Sequence, residues 1–138
     1  MRTVTKLGMV LAAALILASC SSTDEGTSGQ TDDGLGWTRI STQELSEMMA
    51  AEDVYLVNVH VPYEGEISST DAHISYTEIA SRLGELPTSG DPKLVIYCRS
   101  GNMSTQAAQE MVDAGVTGFY ELEGGFTAWE AAGLPFDA

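Results

Sequence analysis

Cys98, followed by Arg99, Ser100, Gly101, Asn102, Met103 and Ser104, is the constellation in this chain whose residue types point to covalent chemistry. It begins where an apolar run, Lys93-Leu94-Val95-Ile96-Tyr97, gives way to a small, polar, glycine-bearing stretch. A tight loop made permissive by Gly101 can turn successive backbone N–H groups toward one centre, and a helix starting near Ser104 adds its positive end. A thiol in such a cradle is expected to exist largely as thiolate, the form that attacks. The plain alternative is a small buried hydrophobe ending a strand. Against it, the six residues after Cys98 hold no large aliphatic, so nothing nearby looks built to bury the sulfur. His60, at the end of a second apolar run, is a candidate mouth residue for proton transfer. Otherwise His60 and His73, the latter in a loop, read as structural histidines. Two cysteines and two histidines would all be needed for one four-ligand zinc cage, so no metal or other cofactor is expected.

The elements that must position Cys98 alternate between strand and helix. Trp37 to Ile40 reads as a short strand, and Ser41-Thr42-Gln43-Glu44 has capping-box spacing. Leu45, Met48 and Met49 then place one apolar stripe on a helix, which is core spacing rather than a metal box. Val54-Tyr55-Leu56-Val57-Asn58-Val59 is the continuous apolar run of a strand covered on both faces. An irregular stretch from His60 to Tyr76 leads to Ile79, Leu83 and Leu86 on a short helix ended by Pro87. Lys93 to Tyr97 is a second buried strand. Ser104 to Ala114 is a helix with Ala107, Ala108, Met111 and Val112 inward and Gly115 just past its end. Phe119 to Leu122 is a third strand of this kind, and a last helix around Ala128 to Ala132 stops at Gly133-Leu134-Pro135. The alternation predicts a three-layer α/β/α domain with a mainly parallel sheet. Ligands bind at the carboxyl ends of strands in such sheets, which is where Cys98 falls. Arg82, Lys93 and the scattered carboxylates read as a solvated surface.

From about Trp37 to Phe136 the sequence resembles the rhodanese-like sulfurtransferase family. Cys98-Arg99-Ser100-Gly101-Asn102 is similar to that family's active-site loop, and Gly124-Gly125-Phe126-Thr127-Ala128-Trp129 with Gly133-Leu134-Pro135 to its C-terminal signature. The resemblance implies a five-stranded parallel sheet between helices and a catalytic Cys98 that carries sulfane sulfur as a persulfide. By that analogy Cys98 attacks the outer sulfur of thiosulfate or a persulfide, and the N–H groups of the loop from Arg99 to Ser104 hold the terminal sulfur until a thiol or cyanide takes it. Arg99 would attract anionic donors to the mouth. Three departures stand out: Met103 occupies a position where many family members carry arginine, Asn58-Val59-His60 replaces Asp-Val-Arg, and Glu66 to Ile74 replaces a Gly-His-Ile-Pro-Gly-Ala segment. Gly124 and Gly125 allow close turns, while Phe126 and Trp129 fill core.

Related phosphatases and arsenate reductases use Cys-x5-Arg, whose arginine clamps the oxyanion. Ser104 stands at that arginine's place, which argues against them. A dithiol oxidoreductase would need Cys20 as its resolving partner. The rival to catalysis is a non-catalytic binding or sulfur-sensing module of the same fold, tethered to a membrane.

The tether is read from the other end of the chain. Arg2 and Lys6 precede an apolar run, Leu7 to Ala18, too short to span a bilayer, which reads as an export signal. Its close, Leu17-Ala18-Ser19-Cys20, resembles the lipobox of bacterial lipoproteins, so residues 1–19 are expected to be removed and Cys20 lipidated. Two or more acyl chains give stable anchoring where one does not. Residues 20–36 are rich in Gly, Ser, Thr and acid and read as a flexible linker; 37–138 form the single domain. The expected location is the cell membrane or envelope, on an extracytoplasmic face, with a monomer expected. The chain of 138 residues holds 20 Asp plus Glu against 6 Lys plus Arg, a net charge of −14, and such a balance repels phosphate backbones and excludes nucleic acid as a main partner.

Overall fold

The computed structural model describes residues 34–138, so the export run, Cys20 and the linker up to residue 33 lie outside the described residues. Strand β1 (Trp37–Ile40) leads into helix α1 (Thr42–Ala51). The capping box forms as its spacing predicts: Ser41 Oγ accepts from the Glu44 N–H at 3.2 Å, and the Glu44 carboxylate accepts from the Ser41 N–H at 2.8 Å. Next come β2 (Val54–Asn58), two short strands β3 (Glu66–Ile67) and β4 (Ala72–His73), and a kinked 3₁₀ segment, Ile79–Glu85. The chain closes with β5 (Lys93–Tyr97), α2 (Asn102–Asp113), β6 (Phe119–Leu122), α3 (Gly125–Ala131) and β7 (Phe136–Asp137).

Five strands form one parallel sheet in the order β1-β6-β5-β2-β4. Alternation along β2 and β5 feeds two cores, one on each face. Val57, Leu94, Ile96 and Cys98 pack with Ile79 of the 3₁₀ segment and with Ala107, Ala108 and Met111 of α2. Leu56, Val95 and Tyr97 pack with Leu45 of α1 and with Phe126 and Trp129 of α3. The domain is therefore three-layered, α/β/α, with a five-stranded parallel sheet. Burial on both faces is the reason β2 and β5 read as unbroken apolar runs.

The differences from the sequence reading are short-range. The stretch read as irregular contains β4, the sheet's fifth strand, and β3, which pairs antiparallel with β7. Two-residue strands carry no periodicity to detect. Helix α2 starts at Asn102 rather than Ser104, and α3 at Gly125 rather than near Ala128. Tyr97, fully buried below the loop, accepts from the Ile67 N–H at 3.0 Å and shares a hydrogen bond with Thr70 Oγ1 at 2.7 Å. Burial pushes its phenol up to about 12, so it serves there as a neutral strut between β5 and the β3 region.

Candidate active site

β5 delivers Cys98 to the carboxyl edge of the sheet, and the next three residues fold back over it. Gly101, at φ +101°, lets the chain turn into α2, and its N–H donates to Cys98 Sγ at 3.1 Å. The first N–H groups of a helix have no partner within it, so the start of α2, one residue past Gly101, has donors to spare. Ser104 Oγ lies 3.5 Å from Sγ on the same turn. Arg99 and Ser100 are exposed, Asn102 is exposed on the first turn of α2, and Met103 is half-buried against the core that contains Cys98.

One expectation is corrected here: Cys98 is 1% exposed. Its side chain packs with Ile96, Ala107 and Met103 into the core that α2 and the 3₁₀ segment cover. The Phe126 N–H donates to the Cys98 carbonyl at 2.9 Å, and the Thr127 N–H to the Arg99 carbonyl at 3.0 Å, so the start of α3 clamps the strand exit from above. A side chain whose loop is fixed in this way has little conformational freedom left to lose.

The carboxylates are not all on the solvated surface that the sequence suggests. Glu121 in β6 is 1% exposed and accepts from Arg39 Nε at 2.7 Å, from Ser104 Oγ at 2.7 Å and from Thr105 Oγ1 at 3.2 Å. Arg39 also donates to Thr105 Oγ1 at 3.0 Å. A buried carboxylate without such partners would cost several kcal/mol. Paired, it ties β1, β6 and the first turn of α2 together, and it is joined to the sulfur's surroundings through Ser104 Oγ. A cavity of about 400 Å³ opens on this side of the loop, between Arg39, Ser100, Gly101 and Glu123. The sequence signal was a lone acid within the apolar run Phe119 to Leu122; its partner Arg39 lies 82 residues away and no spacing reveals it.

His60 lies two residues past β2, 7% exposed, its ring edge-on to Phe126 at 5.6 Å. Its Nε2 sits 2.5 Å from Glu64 Oε2, and Nδ1 is buried with no hydrogen-bond partner among the described residues. Glu64 in turn accepts from Arg99 Nη1 at 3.3 Å. The hydrogen bond from His60 outweighs the opposing effect of burial and, with a lesser contribution from the Arg99 charge, holds the Glu64 carboxyl below the usual carboxylate range. His60 thus reaches the loop through Glu64 and Arg99. His73 is exposed on β4, with Nε2 2.6 Å from the His60 carbonyl. Asn58 shows why an amide suits its position: Nδ2 donates to the Gly65 carbonyl and Oδ1 accepts from the His60 N–H, both at 3.0 Å, and a carboxylate could not donate. Among the described residues no three His, Cys, Asp or Glu side chains group as a metal site, and no helix is long and apolar enough to cross a membrane.

Comparison with known proteins agrees with this geometry. A relative from Synechocystis sp., an uncharacterized protein, is 41% identical over 100 residues, covering 70% of this chain; the chain spans about half, 54%, of that protein. A sulfurtransferase of Allochromatium vinosum is 37% identical over 102 residues, covering 72% of this chain and 94% of the relative. Among solved structures, a rhodanese-related protein from Thermoplasma volcanium superposes with a TM-score of 0.60 at 25% identity, covering 71% of this chain and 95% of that one. The family model described as the rhodanese-like domain matches residues 41–132, which include both the cysteine loop and the glycine clamp above it. The chain belongs to the rhodanese-like domain family.

Proposed function

We propose that this chain, a sulfurtransferase-type enzyme by family, moves sulfane sulfur from thiosulfate or a persulfide to a thiol or cyanide through a persulfide on Cys98. The observation that carries the reading is the Gly101 N–H aimed at Cys98 Sγ at 3.1 Å, at the carboxyl end of a buried strand and the start of a helix. In the first half-reaction the Cys98 thiolate forms a bond to the outer sulfur of the donor, the donor's S–S bond breaks, and sulfite or a thiolate leaves. In the second, the acceptor attacks the terminal sulfur and the Cys98 thiolate leaves. In this reading the Gly101 N–H faces the negative charge on the Cys98 sulfur. Intact-mass spectrometry after exposure to thiosulfate or glutathione persulfide tests this: the expected result is a gain of one sulfur at Cys98, removed on adding cyanide. A chain that gains no sulfur from either donor overturns the reading. One observation favours a second reading, a sulfur-sensing module without turnover: the near-complete burial of Cys98. Such a module would hold its persulfide when cyanide or thiol is added.

The domain is placed by this reading on a membrane surface, outside the cytoplasm, by lipid on Cys20 after removal of residues 1–19. The lipobox-like run Leu17 to Cys20 supports it, and residues 20–36 would space the domain from the headgroups. Cys20→Ala is expected to abolish incorporation of labelled fatty acid and to release the folded domain from membranes. A variant that still sediments with membranes after an alkaline wash would rule out the lipid anchor.

A further inference from the structure

Each of the four basic side chains among the described residues faces a carboxylate. Arg82 pairs with Glu85 at 2.7 Å and Lys93 with Glu52 at 3.9 Å, both away from the loop. The other two border the cysteine loop. Arg39 is bound beneath the loop by Glu121 at 2.7 Å, and Arg99 is met at its outer face by Glu64 at 3.3 Å. Glu64 is held in that place from behind. The buried His60 ring fixes its Oε2, and the hydrogen bonds of Asn58 to His60 and Gly65 fix the turn that carries it. Gly65 is itself packed so closely that a Cβ there would lie 2.6 Å from Phe136.

An arginine alone at this mouth would draw anions, whereas an Arg99–Glu64 pair is a dipole with no net charge. Sulfur donors differ in how much this matters. Attack of the Cys98 thiolate on thiosulfate brings a thiolate and a dianion together, and sulfite leaves carrying two charges. Attack on an organic persulfide R–S–SH forms the new S–S bond to its outer sulfur, breaks the old one and releases the thiolate R–S⁻, while the hydrogen stays on the transferred sulfur. One negative charge is present throughout. In a chain with 20 acids and 6 bases, the first path meets repulsion that the second avoids.

Resting on the sulfur-transfer reading, we propose that Glu64 is a specificity-determining residue: by holding Arg99 in an ion pair it makes the site select low-charge organic persulfides over the thiosulfate dianion. Glu64→Gln tests this, because the amide oxygen can still accept from the His60 N–H while the negative charge is gone. Second-order rate constants for loading Cys98 in the full chain are read by rapid quench and intact mass, with thiosulfate and with the persulfide of 2-mercaptoethanol as donors. In Glu64→Gln the thiosulfate-to-persulfide ratio is expected to rise about fivefold at low ionic strength and to fall back as salt is added. Adding Arg99→Gln to that variant removes the unmasked cation and should abolish the gain. An unchanged ratio at low salt, with both donors loading, overturns the inference alone, as does a gain that survives Arg99→Gln. Failure of both donors to load the parent chain overturns the sulfur-transfer reading and the inference with it.

Discussion

Cys98→Ser is expected to abolish sulfur transfer while leaving the domain folded. A hydroxyl in that place keeps a small polar side chain within reach of the Gly101 N–H and Ser104 Oγ, which lie 3.1 and 3.5 Å from the native sulfur. It cannot form a stable S–S bond, so loading from either donor should fall at least about 1,000-fold, the scale seen when a covalent nucleophile is removed. Because the position is buried in the core beside Ile96 and Ala107, exchanging a thiol for a hydroxyl carries a cost. About 1 kcal/mol is expected, which for a domain of this size lowers the thermal midpoint by about 4–8 °C. Parallel loading and thermal unfolding of the variant separate the two effects. Transfer at the parent's rate would show that another group carries the sulfur, and an unfolded variant would show that Cys98 is chiefly a core residue.

Long elements were legible in the sequence wherever burial on both faces writes itself as composition. Lys93–Tyr97 and Phe119–Leu122 have the bounds their apolar runs suggest, and Ser41 with Glu44 marks the start of α1. The cysteine loop was legible as a strand-to-helix turn because a buried apolar run stops there at small, polar, glycine-bearing residues. What composition does not carry is pairing at a distance. β4 became a strand because Ala72 and His73 lie beside Val57 and Asn58, not through any preference of their own. The clamp on the Cys98 and Arg99 carbonyls is supplied by the start of α3, and the carboxylate that meets Arg99 by Glu64, 35 residues earlier in the chain. Arg99 alone reads as an attractor of anions; Arg99 with Glu64 does not. The same limit hid Glu121, whose charge is explained only once Arg39 and Ser104 are brought against it.

Gly125→Ala is expected to damage both activity and stability, because the loop and α3 approach each other through the space a side chain would need. Gly125 is buried at φ +57°, and a Cβ there would lie 2.2 Å from the Cys98 carbonyl oxygen and 2.6 Å from the carbonyl carbon and oxygen of Arg99. These are backbone atoms, which cannot rotate aside. Relief requires the cysteine loop and α3 to separate by about 1 Å, and a displacement of that size at a reacting centre costs about 100-fold in rate. The same movement stretches the Phe126 and Thr127 N–H bonds to the Cys98 and Arg99 carbonyls, now 2.9 and 3.0 Å. Strain of about 1–3 kcal/mol and two weakened hydrogen bonds at about 1 kcal/mol each predict a loss of about 3–5 kcal/mol. Gly133→Ala separates the clash from the backbone preference. Gly133 has a similar φ of +73° but is exposed, with nothing within 4 Å of its Cβ position, so it should lose only about 1–2 kcal/mol. Its Cys98 loading should match the parent. Urea unfolding and donor loading of both variants decide the matter. If Gly125→Ala loses no more stability than Gly133→Ala and loads at the parent's rate, α3 does not clamp the cysteine loop, and the position of Sγ beneath its amides must have another cause.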